Sequence, residues 1–194
     1  MTGCPATSRH PVILSSCHRM DPALRQRLEH FLRPLYQDLD GVSRFEDVER
    51  VARIARRLYS EDDRAFELVL LFHGLGKWLE KIGNLSRTML AVGGLTEEEL
   101  RQTSASVRRL DAPESDAERA VAAAILIDNA GVRGLAERLS RARREGQSVS
   151  DVVRRALADS ERPEWLPEAA CALLEERRER RREFCRAILE EFHF

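Results

Sequence analysis

The chain has 194 residues, of which 43% are hydrophobic and 34% charged, with a formal net charge of −1. That length buries roughly 70% of the unfolded surface without disulfides or metals, and the composition excludes a disordered chain. Near-neutrality removes any global attraction to nucleic acid or anionic lipid, and the lack of an apolar run of about 18 residues excludes a spanning helix.

Residues 1–19 mix Cys, Pro, Ser, Thr, His and Gly without periodicity. They read as a poorly ordered tail, leaving 20–194 as one domain. Pro11 to Leu14 is too short for a signal-peptide core. Asp21-Pro22 then reads as an N-cap followed by the first helical position. Leu24, Leu28, Phe31, Leu32 and Leu35 recur at helical spacing up to about Asp40-Gly41. A second helix carries Phe45, Val48, Val51, Ile54 and Leu58 on one face. A third, from about Asp62 to Phe72, is apolar nearly all round and is expected at the centre.

His73-Gly74-Leu75-Gly76-Lys77 ends or bends that helix, and Trp78 to Leu90 reads as a further helical segment. Thr96 and Glu99 form a capping-box pattern for a helix to about Leu110. After the turn at 111–115, Asp116 to Ala130 is an alanine-rich buried helix, and Gly134 to Glu145 continues in helical pattern. Ser148 or Ser150 caps a short helix to Ala158, and a long charged helix runs from Glu168 almost to the end. No alternating strand segment and no internal repeat occurs, so the expected class is all-α: one compact multi-helix bundle. Cys4, Cys17, Cys171 and Cys185 lack a disulfide-framework spacing, which fits reduced thiols in a cytoplasmic protein.

Two stretches carry chemistry: Asp47 to Leu58, and Leu70-Leu71-Phe72-His73-Gly74-Leu75-Gly76-Lys77. Together with the closing segment from Leu166 to Phe184, they resemble the HD superfamily, metal-dependent phosphohydrolases with a helical core. The closing segment resembles a bacterial subgroup, and the resemblance covers roughly residues 21–192. Members place a histidine three residues before an Arg-Val pair, then a His-Asp pair, a small loop and a lysine, with a further aspartate from a later helix. It implies imidazole and carboxylate groups converging on a divalent metal that polarises phosphate and activates water.

Carried over by position, the set is damaged. Asp47 stands where the first histidine is expected, His73 keeps the histidine of the pair, and Gly74 replaces its aspartate. Asp128 best matches the later aspartate through its distance to Gly134, while a shifted alignment puts Ala130 there. Leu110 and Asp111 occupy two positions where many members add histidines. The remnant metal set is therefore Asp47, His73 and Asp128, suited at most to weak binding of Mn, Mg or Fe, with Lys77 and Arg50 as candidate anion contacts.

Each residue also has a structural reading. His73 caps a helix or bonds in the core, Asp47 favours a helix dipole, Asp128 pairs with an arginine, and Lys77 is a solvated helix end. The expectation is an HD-like domain that needs no cofactor, is not catalytic, and binds a protein partner or a small phosphate-containing ligand. A divergent phosphohydrolase and a ligand-free structural homo-oligomer, such as a homodimer, stay open as alternatives.

Other patterns fall away. Gly74 to Trp78 lacks the first glycine and the Ser/Thr of a phosphate loop. Cys4, His10, Cys17 and His18 match no zinc spacing, and no Gly-x-Ser-x-Gly elbow occurs. The run Glu175 to Glu183 alternates sign at helical spacing and is expected to be a solvated face rather than a nucleic-acid patch.

Overall fold

Most of the helices begin where a short polar side chain can accept from free backbone N–H groups. Asp21 accepts from Ala23 N at 3.1 Å, opening α1 (Pro22–Asp38). Asp63 accepts from Ala65 N at 2.9 Å, opening α3 (Arg64–Phe72) two residues later than the expected start. Thr96 with Glu99 and Ser115 with Glu118 close reciprocal capping boxes on α4 (Glu97–Arg108) and α5 (Asp116–Ala130). Of the two serines proposed for the short helix α7 (Val149–Ala158), Ser148 is the cap. α2 (Phe45–Leu58), α6 (Val132–Arg144), α8 (Glu168–Glu191) and a 3₁₀ turn at His73–Leu75 complete the set. The computed structural model describes residues 19–38, 45–61, 63–76 and 94–191; within them there is no strand, and no helix is long and apolar enough to cross a membrane. The expected tail (apart from Arg19) and the expected segment Trp78 to Leu90 lie outside the described residues.

The protein is all-α. α5 is its axle, packing against α2, α3, α6 and α8. Its sequence explains that position: Ala120, Ala122, Ala123 and Ala124 are all buried, and side chains that small let neighbours close in on several sides. α3 is buried from Phe66 to Phe72, Glu67 included, as its nearly all-round apolarity predicts. Three apolar clusters result. The largest joins α1 through α5 around Leu28, Leu32, Val51, Phe66, Leu70 and Phe72. A second joins α5 to α8 through Ile127, Leu166 and Leu174. A third joins α6, α7 and α8 through Leu135, Val153 and Cys185.

Between α5 and α6 the chain turns within one residue, Gly131, and α6 then runs past the last turn of α5. A Cβ on Gly134 would lie 2.0 Å from the backbone oxygen of Asn129, so only glycine permits this approach.

The charged run on α8 departs from the expected solvated face. Arg178 and Arg181 are 2% and 0% exposed. Arg181 donates to the Asp159 carboxylate and to the Asp159 carbonyl, each at 3.0 Å, and Arg178 donates to the Ser160 and Glu161 carbonyls. The two guanidiniums thus hold the α7–α8 connector. Helical spacing alone does not separate them from the solvated arginines, because glutamates flank them all.

A Gly134→Ala change is expected to cost about 3 kcal/mol in urea unfolding, since the obstacle is backbone that cannot rotate away. Glu118 supplies a second prediction. Burial would raise its pKa, but hydrogen bonds from Arg109, Ser106 and the Glu114 and Ser115 amides outweigh burial and bring it down to about 2. A depressed carboxylate adds stability above its unfolded value of 4.5, and that stability is lost as the pH falls through about 2. Glu118→Gln is therefore expected to cost about 2 kcal/mol at neutral pH. The gap to the parent protein should close between pH 4.5 and about 2, read from urea midpoints across that range.

Candidate functional site

Asp47 and Arg50 sit one turn apart on α2, and Asp128 lies in the last turn of α5. The packing of α2 on α5 brings all three together. Arg50 Nε and Nη2 donate to the two Asp128 oxygens at 3.0 and 2.9 Å, a bidentate pair, and Nη2 also donates to Asp47 Oδ1 at 2.6 Å. Arg133, from the first turn of α6, donates to the same Asp47 oxygen. Burial works against the Arg50 charge, but its bonds to Asp128 and Asp47 outweigh that, holding its pKa above the ordinary range. A guanidinium thus stands between the two carboxylates that the sequence proposes as metal ligands.

His73 occupies the 3₁₀ turn after α3, half-buried. Its Nδ1 lies 2.7 Å from the Leu70 carbonyl oxygen. A carbonyl only accepts, so Nδ1 carries the proton and Nε2 is the bare nitrogen. Burial lowers its pKa, against opposing contributions from the Leu70 carbonyl, Asp47 and Asp128, and keeps the ring neutral near pH 7. This is the tautomer in which a histidine ligates metal through Nε2. The carboxylates do not complete such a site, because Asp47 and Asp128 are both engaged by guanidinium. Among the described residues, no group of three His, Cys, Asp or Glu side chains is placed to hold a metal ion.

At Gly74 the space is filled from α1. A Cβ there would lie 2.6 Å from Tyr36 Cε1. Tyr36 is 1% exposed, packs edge-on against Phe45 and donates its hydroxyl to the Leu71 carbonyl at 2.8 Å, so its ring has little room to yield. Leu110 packs on the main core and Asp111 lies exposed in the turn after α4. Ala130, the alternative to Asp128, is buried in the α5–α8 cluster. Lys77 lies outside the described residues.

Beside the carboxylate–arginine group opens a cleft of about 400 Å³, within the range of small-molecule sites. Its walls carry Arg50, Arg53, Arg57, Arg133, Arg177 and Arg180, with Asp128 as the single carboxylate among the described residues. Arg50, Arg53 and Arg57 form one stripe along α2, three and four residues apart. Arg177 and Arg180 face them from α8, and the stem of Arg177 passes over Gly131 at the start of α6. That helix begins without a side-chain cap, so its first N–H groups contribute positive potential to the cleft. Arg180 pairs with Glu176 and Arg133 with Glu137, while Arg53, Arg57 and Arg177 have no carboxylate partner among the described residues. Sequence reasoning found Arg50 and missed the other five. The available signal was the spacing of Arg50, Arg53 and Arg57, which marks one helix face but does not say what lies opposite.

The tight fit at Gly74 makes a direct prediction. Gly74→Ala is expected to cost about 1–3 kcal/mol in chemical unfolding, and much less in a Tyr36→Leu background. Equal costs in both backgrounds would mean that the Tyr36 ring is not the obstacle.

Comparisons with protein-family models, with curated proteins and with solved structures find no match, so the site's own chemistry carries the functional reading.

Proposed function

We propose that this chain is an HD-like helical domain in which anion recognition has replaced metal-assisted hydrolysis, and that it acts by binding a small phosphate-containing ligand rather than by turnover. The observation that carries this reading is the Arg50 guanidinium seated between Asp47 and Asp128. Arg50 and Arg133 together neutralise the two carboxylates as a dication would, yet guanidiniums have no open coordination position and cannot activate water. The second support is the adjoining cleft, where cationic side chains outnumber carboxylates and Arg53, Arg57 and Arg177 have no anionic partner among the described residues. Arginine suits that role, since its planar donor fork matches phosphate oxygens in pairs.

The test is elemental analysis of protein purified without chelators, beside thermal melting in inorganic phosphate. The expected result is no stoichiometric divalent metal and a higher Tm in phosphate. With a Kd near 1 mM, 10 mM phosphate adds about 1.4 kcal/mol by mass action, equivalent to about 3–5 °C at this chain length. Near-stoichiometric metal that disappears in His73→Ala would overturn the reading and restore a metal-dependent enzyme.

A further inference from the structure

Resting on the anion-binding reading above, we infer that the arginine cleft is built for a small molecule carrying two or more linked phosphoryl groups, rather than for a single phosphate. Arg50 and Arg57 stand seven helical steps apart on α2 with Arg53 between them, a row of roughly 10 Å at 1.5 Å per residue. One phosphoryl group engages one or two guanidinium forks; a row that long is matched by a chain of such groups.

Charge is unevenly distributed along the row. Arg50, at the Asp128 end, is held by Asp47 and Asp128, whereas Arg53 and Arg57 continue the stripe without carboxylate partners among the described residues, with Arg177 contributed by the opposite wall. The uncompensated cations therefore come from two helices and several turns rather than from one point. The α6 N-terminus at Gly131 and Val132 adds backbone donors to the same cleft.

Ile54 and Val132 give the cleft an apolar strip between its charged groups, which suits the organic part of a phosphorylated metabolite. A single-stranded nucleic-acid surface stacks bases on aromatic side chains, and among the described residues none lines this cleft.

The experiment is isothermal titration at fixed ionic strength with orthophosphate, pyrophosphate, tripolyphosphate and a nucleoside triphosphate. Tripolyphosphate is expected to bind at least tenfold more tightly than orthophosphate. Arg53→Ala and Arg177→Ala should each weaken it about tenfold with no change in Tm, both positions being exposed. Arg119→Ala, a surface arginine on α5 paired with Asp116, should leave the affinity unchanged. Equal affinities for tripolyphosphate and the nucleoside triphosphate would mark a free oligophosphate as ligand; tighter nucleotide binding would add the Ile54–Val132 strip to the site. The inference is overturned, with the anion-binding function intact, if orthophosphate binds as tightly as the longer chains. Binding of none of the four removes both. Tighter binding of a single-stranded oligonucleotide, or equal losses in the Arg119 variant, would also overturn it by making the cleft a non-selective cationic surface.

Discussion

The contact between α2 and α5 is the joint on which the molecule depends. Its apolar part sets Val48, Val51, Ala52 and Ala55 of α2 within the cluster that holds Ala120, Val121 and Ala124 of α5. Residues that small tolerate several sliding registers, since none of them interlocks deeply. Arg50 removes that freedom. Its bidentate bond to Asp128 forms only when the two helices stand at one height and one rotation. A partly buried ion pair of this kind contributes little net stability and is better understood as fixing a register. Asp47, Arg133 and the start of α6 then take their places around it.

Arginine performs three separate jobs in this chain. Arg178 and Arg181 are buried struts, held by carbonyls and Asp159, and burial lowers the pKa of Arg181 without discharging it. Arg50, Arg56 and Arg109 are bridges, each joining carboxylates across elements, as Arg56 does with Glu67 and Arg109 with Glu118. Arg53, Arg57 and Arg177 have no such partner among the described residues and face a shared cleft. The three roles differ in surroundings and not in chemistry, which is why a cation unable to lose its proton serves all of them.

Much of the fold was legible in the sequence because capping and periodicity are local signals. Asp21-Pro22 and Thr96 with Glu99 mark helix starts within a few residues, and the apolar runs of α2 and α3 report burial directly. The candidate site was legible in part. Asp47, Arg50 and Asp128 do assemble, and the structural reading of Asp128 as an arginine's partner describes the observed geometry. The remainder depended on which helix faces which. Nothing within Arg177-Arg178-Glu179-Arg180-Arg181 says that Arg178 and Arg181 turn inward while Arg177 and Arg180 line a cleft, since all four share glutamate-rich neighbours. Likewise Gly74 reads as a missing carboxylate, yet the space beside it belongs to Tyr36, a residue 38 positions earlier.

The elbow at Gly131 and Gly134 bears on recognition itself. Because α6 is clamped against the final turn of α5, Asp128, Arg133 and the free amides of the α6 N-terminus form one stiff unit. A ligand entering there meets donors whose backbone positions are already set, so little ordering entropy opposes association. Differences in affinity among related ligands should then reside in how long each stays bound rather than in how fast it arrives.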